Sequence, residues 1–375
     1  MINFWSYKDE YKKLRPTLNR FFDQTLKAGQ IFFGNNLQIF EKNFNKKYKS
    51  KYGIAVGSGT DALLISLLST NIQKGDEVIT ASNTAIPTIS AIVNSGAKPV
   101  LVDIKNDYLI DPDKIEKKIT KKTRAIIPVH LYGQACDMDK IIKIAKKYRL
   151  IVIEDCAQAQ GAKFKNKYVG TFGAFGCFSF YPTKILGGYG DGGFILTNNY
   201  KSYSNIKKIR FYGIDTVDKK NKFYNKYYAN INGVNSRLDE INSKILNFKL
   251  SKIESLISKR RKIAKFYNDQ LCKTKLLLPK LNKDKFDVFH LYTVYHKKRD
   301  LIMKKLLEKK IQTRIIYPFP IHKMKGYSNF FKNDIHKISE IKSKGIFSLP
   351  LYPELSLKNQ KTICNKLKKI LISID

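Results

Sequence analysis

The sequence has few cysteines, few acidic residues and no long apolar run. Its five cysteines show no paired spacing of the kind that binds zinc or forms a redox motif, so we expect buried free thiols in a reducing compartment. The five histidines are also scattered, and we predict no metal site. No apolar stretch approaches the roughly 20 residues that span a bilayer, and the start Met1-Ile-Asn-Phe4 lacks the pattern of a signal peptide. These absences predict a soluble, cytoplasmic protein without a membrane partner.

The shortage of acidic residues leaves a large positive charge: 31 Asp and Glu against 70 Lys and Arg, or +39. One interpretation is a polyanionic partner such as nucleic acid. The lysines, however, occur in every segment, whereas a nucleic-acid-binding protein concentrates its charge on one face. We therefore favour compositional drift and predict no nucleic-acid partner, although the same field can attract a nucleotide-diphosphate substrate.

Short apolar runs alternate with amphipathic stretches in the first half of the chain. The runs that we predict as strands are residues 53–56, 77–80, 99–103, 125–129, 150–154, 176–180 and 193–197. Residues 138–148 carry apolar side chains at helical spacing. Strands that are apolar on both faces and separated by helices predict an α/β fold, with a mostly parallel sheet covered by helices on both faces. In such sheets ligands bind beyond the carboxyl ends of the strands.

The pattern changes after residue 235. Residues 236–272 predict one long charged helix that leaves the large domain, and the rest predicts a strand at 288–294 and a helix at 300–310. We therefore expect a large α/β domain at 1–250, which includes an N-terminal helical segment, and a small C-terminal α+β domain at 251–375.

A predicted strand turns through glycines into an apolar helix at Val56-Gly-Ser-Gly-Thr-Asp-Ala-Leu63. Free N–H groups and the positive end of the helix dipole make such a turn a phosphate site. The turn also fits the dinucleotide fingerprint, with Asp76 and Glu77 about 20 residues further on. The acid of that fingerprint ends the second strand, whereas these two residues precede Val78. An NAD-dependent oxidoreductase therefore stays as the less favoured alternative.

Three further residues stand where chemistry is expected. Asp155 follows a buried strand and either caps a helix or pairs with the pyridinium nitrogen of a cofactor. Lys184 follows an aromatic strand and Pro182, and precedes a loop dense in glycine. A lysine held in such a pocket near a cation has a lowered pKa, which leaves the neutral amine that forms a Schiff base. Asn235 opens the predicted long helix, where capping is the simpler role.

In this order the motifs resemble the sugar aminotransferases of the DegT/StrS family, which are pyridoxal-phosphate (PLP) enzymes of fold type I. The matching segments are Val56–Leu63, Gly75–Val78, Val129–Gln134, Glu154–Gln158, Phe178–Lys184, Gly190–Gly193, Asn235–Asp239 and Ser348–Tyr352. The resemblance implies that Lys184 forms the Schiff base and later moves the proton, that Asp155 pairs with the ring nitrogen, and that Gln158 lies near the ring hydroxyl. It implies four ligands for the cofactor phosphate: Gly59, Thr60, Ser179 and, from the neighbouring subunit, Asn235. A homodimer with two shared sites follows from that last role.

The sequence departs from the family pattern at two places. Ala85 stands where the family often has an aromatic residue that stacks on the PLP ring, and Ile316 stands where it has histidine before Tyr317. A sister group of PLP sugar dehydratases has histidine at the lysine position, and Lys184 argues against that reaction.

The resemblance implies transfer of an amino group from L-glutamate to a nucleotide-linked keto-sugar, through the pyridoxamine phosphate form of the cofactor. The segments 56–63 and 235–239 are similar to those of the C3 group. We therefore predict a dTDP-linked 3-keto-6-deoxyhexose, destined for surface polysaccharide, with C4 amination as the alternative. Weaker candidates for substrate contact, which core packing explains nearly as well, are Tyr181, His290, Tyr292, Tyr317 and His322.

Overall fold

The computed structural model describes residues 1–215 and 227–374. The helices of these ranges are α1 (Lys8–Lys27), α2 (Asn35–Tyr48), α3 (Gly59–Leu68), α4 (Ile86–Asn94), α5 (Met138–Lys147), α6 (Tyr200–Ile209), α7 (Glu240–Leu250), α8 (Ile253–Leu271), α9 (Arg299–Glu308), α10 (Lys337–Gly345) and α11 (Leu357–Ile374). The strands are β1 (Tyr52–Val56), β2 (Glu77–Ala81), β3 (Lys98–Val102), β4 (Thr123–Ile127), β5 (Ile151–Asp155), β6 (Lys163–Phe164), β7 (Lys167–Tyr168), β8 (Phe175–Ser179), β9 (Gly193–Thr197), β10 (Lys285–Phe286), β11 (Tyr292–Tyr295) and β12 (Ile346–Leu349).

The central sheet has the strand order β1-β9-β8-β5-β4-β2-β3. Neighbours from β8 to β3 pair in parallel, and β9 runs antiparallel to both β1 and β8. Because β9 is antiparallel to both, β1 points the same way as β8, and the carboxyl ends of β1, β5 and β8 share one edge. The prediction of a mostly parallel α/β sheet is confirmed.

Side chains of β1 alternate between two buried layers, which explains why the strands read as continuous apolar runs. Ile54 and Val56 belong to the cluster that contains Ile206 of α6, a helix that contacts β1 on one face, whereas Ala55 belongs to the cluster that contains Phe44 of α2 on the other. Every residue of β2, β8 and β9 is buried. Helices therefore cover both faces of the sheet, as predicted.

The single long helix predicted at 236–272 is wrong in two respects. Asp239 caps α7, because its Oδ1 accepts a hydrogen bond of 2.7 Å from the backbone N–H of Asn242, so the helix begins at Glu240. The helical run then breaks at Lys252, and α8 starts at Ile253. The apolar spacing continues across this break, so periodicity alone does not reveal it.

The predicted strand at 288–294 is confined to β11, which begins at Tyr292. The residues before Tyr292 are hydrogen-bonded to the loop after β4 instead. The N–H of Val288 donates to the carbonyl of Gly133 at 3.0 Å, and the N–H of Leu291 donates to the carbonyl of Tyr132 at 3.4 Å. The predicted helix at 300–310 corresponds to α9 and ends two residues earlier, at Glu308.

A separate hydrophobic cluster joins helices α8, α9 and α11 to the pair β11–β12. The start of the chain packs on it, because Ile2 pairs with Ile311 and Trp5 lies against the cluster. The division of the chain at residue 250 stays a prediction. None of the helices in the described ranges combines the length and apolar character that crossing a bilayer requires. The prediction of buried thiols is wrong for Cys272, which is exposed; the other cysteines are buried.

Candidate active site

The turn after β1 forms a cradle of free N–H groups at the start of α3. Ser58 caps the helix, since its Oγ accepts a hydrogen bond of 3.0 Å from the N–H of Asp61. Ser236 fixes the turn from outside: its Oγ accepts from the N–H of Gly57 at 2.8 Å and donates to Asp61 at 2.7 Å. Gly59 and Thr60 occupy the first helical turn, where backbone N–H groups have no partner within the helix. The turn is therefore suited to an anion.

Ser179 lies directly against this turn. A Cβ atom added to Gly59 would stand 2.6 Å from the Cβ of Ser179, so only glycine permits the observed approach. Ser179 is the last residue of β8 and is buried. The structure thus brings together three of the predicted phosphate ligands, Gly59, Thr60 and Ser179, although they are 120 residues apart in the chain.

Asp155 ends β5 at the same edge of the sheet and is almost wholly buried. Its Oδ2 accepts a hydrogen bond of 2.9 Å from Oγ1 of Thr88, and its Oδ1 accepts one of 3.1 Å from the N–H of Ala157. Burial raises the pKa of this carboxyl group, while the two hydrogen bonds and the amine of Lys184 oppose that rise. Residues 156–162 form turns and no helix. Asp155 is therefore not a helix cap.

Lys184 lies in the loop between β8 and β9, again at the carboxyl edge. Its backbone N–H donates to the carbonyl of Tyr181 at 2.9 Å. Burial lowers the pKa of its amine to about 8, and the carboxylate of Asp155 acts in the opposite direction. The predicted lowering therefore occurs through desolvation, and not through the nearby cation that we expected from the sequence. The amine lies close enough to the carboxylate of Asp155 for the two groups to interact electrostatically.

Gln158 is held by two tyrosines in the same region. Its Oε1 accepts a hydrogen bond of 2.9 Å from the N–H of Tyr132, and its Nε2 donates to the hydroxyl of Tyr317 at 2.9 Å. The hydroxyl of Tyr132 in turn donates to the carbonyl of Ile316 at 2.6 Å. Burial raises the pKa of Tyr317, and Asp155 adds to that rise. Gln158 and Tyr317 therefore belong to the surroundings of Asp155.

Asn235 is exposed and does not cap α7, because Asp239 does. Its backbone pairs with Phe211 in an isolated bridge. The next residue, Ser236, is buried against the Gly57 turn of its own chain. Successive side chains of extended backbone point to opposite sides, so Asn235 points away from that turn.

The remaining candidates for substrate contact separate into different environments. His290 lines a cavity together with Thr183, the residue before Lys184. Tyr181 is exposed. Tyr292 is buried in the cluster of α8 and β11, where its hydroxyl donates to Asn268 at 2.6 Å. Nε2 of His322 lies 2.8 Å from Oε1 of Glu340, and its ring contacts that of His336 edge to face. Core packing thus accounts for Tyr292, and His322 belongs to a separate polar cluster.

One group of potential metal ligands is present among the described residues: His130, Glu154 and Cys156. Two of its members, His130 and Glu154, already have partners. Nε2 of His130 lies 3.1 Å from Glu154, and Nδ1 accepts from the N–H of Cys136 at 3.0 Å. The carboxylate of Glu154 also accepts backbone hydrogen bonds from residues 170, 172 and 173. The group is therefore explained as a buried hydrogen-bond network that fixes the end of β5.

The alternative interpretation of the Gly57 turn, as the dinucleotide site of an NAD-dependent oxidoreductase, is wrong because of the sheet topology. Asp76 precedes β2 and Glu77 opens it, so both lie at the edge opposite the Gly57 turn. Asp76 pairs with Arg124 at 3.3 Å, and Glu77 accepts from the hydroxyl of Thr120 at 2.6 Å. Neither carboxylate is available to a ribose bound at the carboxyl ends of the strands.

Sequence reasoning missed Thr88, Trp5 and Arg314. Thr88 is a polar residue in the first turn of α4, directly after β2, and that position at the carboxyl edge was the available signal. Trp5 and Arg314 reach the cavity beside Thr183 only because the start of the chain pairs with residues 310–312. No local pattern indicates that pairing.

The donor set fits PLP. Its phosphate requires free N–H groups and a serine hydroxyl, which Gly59, Thr60 and Ser179 supply at the cradle. Its ring nitrogen requires a buried carboxylate, and Asp155 supplies one. Its aldehyde requires an amine that is readily neutral, which a pKa of about 8 provides at Lys184.

Comparison with known proteins points the same way. The family described as the DegT/DnrJ/EryC1/StrS aminotransferases matches residues 13–368. The dTDP-3-amino-3,6-dideoxy-alpha-D-galactopyranose transaminase of Aneurinibacillus thermoaerophilus is 40% identical over 357 residues, or 95% of this chain and 96% of that one. The dTDP-3-amino-3,4,6-trideoxy-alpha-D-glucose transaminase of Micromonospora megalomicea subsp. nigra is 36% identical over 377 residues, 99% of each chain.

The structure of DesV from S. venezuelae, in complex with a ketimine intermediate, matches this fold with a TM-score of 0.92, at 32% identity over 98% of each chain. Other relatives carry different nucleotides in their names. They include GDP-perosamine synthase of Escherichia coli O157:H7, at 35% identity over 90% of each chain. The UDP-2-acetamido-2-deoxy-3-oxo-D-glucuronate aminotransferase of Pseudomonas aeruginosa is 34% identical over 97% of this chain and 99% of its own.

Proposed function

The chain belongs to the DegT/DnrJ/EryC1/StrS aminotransferase family, whose members are PLP-dependent, and we propose that it transfers the amino group of L-glutamate to C3 of a dTDP-linked 3-keto-6-deoxyhexose. The product would be a 3-amino sugar for surface polysaccharide. The observation that carries the proposal is that the two relatives at 36% and 40% identity are both named as transaminases of a dTDP-linked 3-amino sugar. Relatives named for UDP and GDP sugars are 34% and 35% identical.

PLP, when bound, supplies the carbonyl that takes up the amino group and the ring that stabilises negative charge at the neighbouring carbon. The protein supplies the group that moves the proton and the groups that orient the cofactor ring. Nζ of Lys184, neutral in a large fraction of molecules near pH 8, accepts the proton from the α-carbon of glutamate and returns one to the sugar carbon. Asp155 keeps the ring nitrogen protonated, and Thr88 orients that carboxylate.

The substrate is tested with a panel of dTDP-, UDP- and GDP-linked keto-sugars that carry the keto group at C3 or at C4, each with glutamate as donor. Formation of 2-oxoglutarate is measured, and Lys184→Ala protein serves as the inactive control. We expect the largest kcat/KM with the dTDP-3-keto-6-deoxyhexose. A larger kcat/KM with a C4 ketone or with another nucleotide would overturn the proposal of this substrate.

We further propose a homodimer in which Asn235 reaches the cofactor phosphate of the partner subunit. Asn235 is exposed and points away from its own Gly57 turn. Exposed apolar side chains lie in the segments next to it, among them Phe32, Tyr212 and Ile231. Those segments are joined through the bridge of Phe32 with Asp239 and the hydrogen bond of Tyr212 to Val234. Such a patch is typical of a protein–protein contact.

Mixing two inactive variants tests whether the site is shared. Lys184→Ala and Asn235→Ala proteins are each assayed alone and then after joint unfolding and refolding. In a mixed dimer with shared sites, one site has both native residues, so about a quarter of wild-type activity should return. If Asn235 acts within its own chain, the mixture stays as inactive as its components, and the sharing is refuted. Elution of the wild type as a monomer would refute the dimer.

A further inference from the structure

A cavity of about 330 Å³ opens beside Lys184 and is not used by the cofactor residues described above. Its lining residues are Phe4, Trp5, Thr183, His290, Leu291, Gln312, Arg314, Ile316, Leu349 and Leu351. Two of these residues join the cavity to the candidate active site. Thr183 precedes Lys184, and the carbonyl of Ile316 accepts a hydrogen bond from the hydroxyl of Tyr132. We call it the Trp5 cavity. Its volume is at the lower end of ligand sites, so it suits one ring and not a whole nucleotide sugar.

His290 is one of several buried polar residues in the described part of the chain that have an atom without a hydrogen-bond partner, and it lines this cavity. The residue is 6% exposed, and its Nδ1 is buried without a hydrogen bond to any described residue. Burial lowers the pKa of its imidazole well below the ordinary value, with Lys184 and Arg260 acting in the same direction. The ring is therefore neutral and offers one donor and one acceptor. Unpaired buried polar atoms are rare in native proteins, so a ligand that completes this hydrogen bond is expected.

Arg314 supplies the one formal charge among the residues that line the cavity. Its backbone is fixed by two hydrogen bonds with Ser348, at 3.3 and 2.8 Å. Within residues 1–215 and 227–374 its guanidinium group has no hydrogen-bond or ion-pair partner. An exposed guanidinium without a partner at the side of a cavity is suited to bind phosphate or carboxylate.

The start of the chain forms another part of the cavity wall, next to the segment that carries Arg314. Ile2 pairs with Ile311, and the N–H of Phe4 donates to Oε1 of Gln312 at 3.3 Å, which holds Trp5 against the cavity. Trp5 packs on Tyr7 with ring centroids 5.4 Å apart. It is also the single tryptophan of the sequence. An aromatic wall, apolar leucines, a neutral imidazole and one cation together match a sugar ring that carries a phosphate.

We propose that the Trp5 cavity binds the hexose ring of the acceptor nucleotide sugar, with His290 hydrogen-bonded to a sugar oxygen and Arg314 paired with the sugar-linked phosphate. The proposal rests on the proposed function, because it assigns the binding place of that substrate. Glutamate fits the cavity less well, because it has two carboxylates and no ring, whereas the described lining offers one cation and an apolar, aromatic wall. Trp5, His290 and Arg314 are thereby specificity-determining residues for the sugar.

The fluorescence of Trp5 gives a direct test, since no other tryptophan contributes. PLP-loaded enzyme is titrated with dTDP-glucose and UDP-glucose, which lack a keto group and cannot react, and with thymidine and glutamate for comparison. We expect a saturable change with at least one of the two sugar nucleotides, and none with thymidine. Equilibrium dialysis that detects binding of the sugar nucleotides while Trp5 emission stays constant would overturn the proposal.

Variants assign the contacts. Arg314→Gln should weaken sugar-nucleotide binding about tenfold or more, because it removes a charge-assisted hydrogen bond. Arg124→Gln is the matched control, since Arg124 pairs with Asp76 at the opposite edge of the sheet, and its affinity should equal that of the wild type. His290→Phe should weaken binding and His290→Asn should recover part of the loss. Wild-type affinity in both Arg314→Gln and His290→Phe would refute the assignment.

The two half-reactions separate the sugar from glutamate. The change in visible absorbance on adding glutamate should occur at the wild-type rate in Arg314→Gln, while amination of the keto-sugar should show a raised KM. A loss confined to the glutamate step would overturn the proposal and identify Arg314 as a carboxylate ligand. If dTDP-glucose changes Trp5 emission but no keto-sugar is aminated, the proposed function fails, and the cavity remains a binding place for a sugar nucleotide that is not an amino acceptor. Amination of the keto-sugar without any Trp5 response would refute the cavity assignment and support the proposed function.

Discussion

Oγ1 of Thr88 donates a hydrogen bond of 2.9 Å to Oδ2 of Asp155 inside the protein, at the edge of the sheet where Lys184 also lies. Thr88 comes from α4 and Asp155 from β5, so this bond fixes the carboxylate from a neighbouring layer of the fold. Thr84 approaches the other side of the Thr88 hydroxyl at 2.9 Å. The orientation of Asp155 is therefore built into the packing of α4 on the sheet.

Replacing Thr88 by valine preserves shape and removes the donor. We expect kcat to fall about tenfold or more, because a hydrogen bond to a charged group contributes roughly 1.5–3 kcal/mol. Thr88→Ser keeps the hydroxyl and should retain most activity, and Thr84→Val, which does not touch Asp155, should have the smaller effect. Steady-state kinetics measure all three. Equal rates for the valine and serine variants at position 88 would mean that the bond does not orient Asp155.

Asp155→Ala removes the partner of the ring nitrogen. We expect kcat to fall by about a hundredfold or more, as for the loss of one preorganised electrostatic contact. The affinity for PLP should change less, since the phosphate cradle is formed by other residues. Kinetics and a PLP titration of the apoenzyme measure the two effects. Activity within a few-fold of wild type would assign the pyridinium partner to another residue.

Lys184→Ala should abolish turnover and the visible absorbance that comes from the covalent link between chain and cofactor, while the circular dichroism spectrum stays native. Unchanged turnover would refute the assignment of Lys184. Lys184→Met keeps the aliphatic stem, and its apoenzyme should be more stable than the wild type at pH 7 by up to about 3 kcal/mol, since burial lowers the lysine pKa from 10.5 to about 8.

The sign follows from the two pKa values. The folded state binds this proton less tightly than the unfolded state does, so burial of the charged amine destabilises the folded apoenzyme below pH 8, and the effect disappears between pH 8 and about 10.5. Urea denaturation of both apoenzymes across that range measures it. If the difference in free energy of unfolding between variant and wild type stays constant with pH, the lowered pKa is contradicted.

The rate at which apoenzyme takes up PLP should depend on pH through the same amine. It should rise from pH 6 and level off above pH 8, because the neutral amine is the nucleophile and its pKa is about 8. Stopped-flow absorbance measures the rate. If the rate still rises tenfold per pH unit between pH 9 and 10, the amine has the pKa of an ordinary lysine and the buried pocket does not act on it.

Gly59→Ala places a Cβ 2.6 Å from the Cβ of Ser179, so one of the two segments must shift. We expect a loss of about 1–3 kcal/mol in the free energy of unfolding, typical of overpacking, together with weaker binding of PLP. Gly326→Ala is the matched control, because a Cβ there meets no atom within 4 Å. Thermal unfolding and PLP titration measure both variants. Native stability and affinity in Gly59→Ala would mean that the contact with Ser179 is loose.

Much of the site was predictable because parallel strands bring their carboxyl ends to one edge. The runs that end near Val56, Asp155 and Ser179 indicate a shared edge, and the structure confirms that edge. Residues brought in by distant pairing were not predictable: Trp5 and Arg314 meet only because Ile2 pairs with Ile311. The break at Lys252 was missed because the apolar spacing of α7 and α8 continues through it.

Gly59 and Ser179 belong to different strand–helix units but lie in close contact. The effect of a substitution at one position therefore depends on the residue at the other. Alanine at 59 alone meets the Cβ of Ser179, but glycine at 179 would remove both that atom and the hydroxyl that stand nearest to the added methyl group. The double variant should therefore lose less free energy of unfolding than the two single variants lose in sum, which is positive epistasis. Across divergent members of the family, substitutions at these two sites should accordingly appear as compensating pairs.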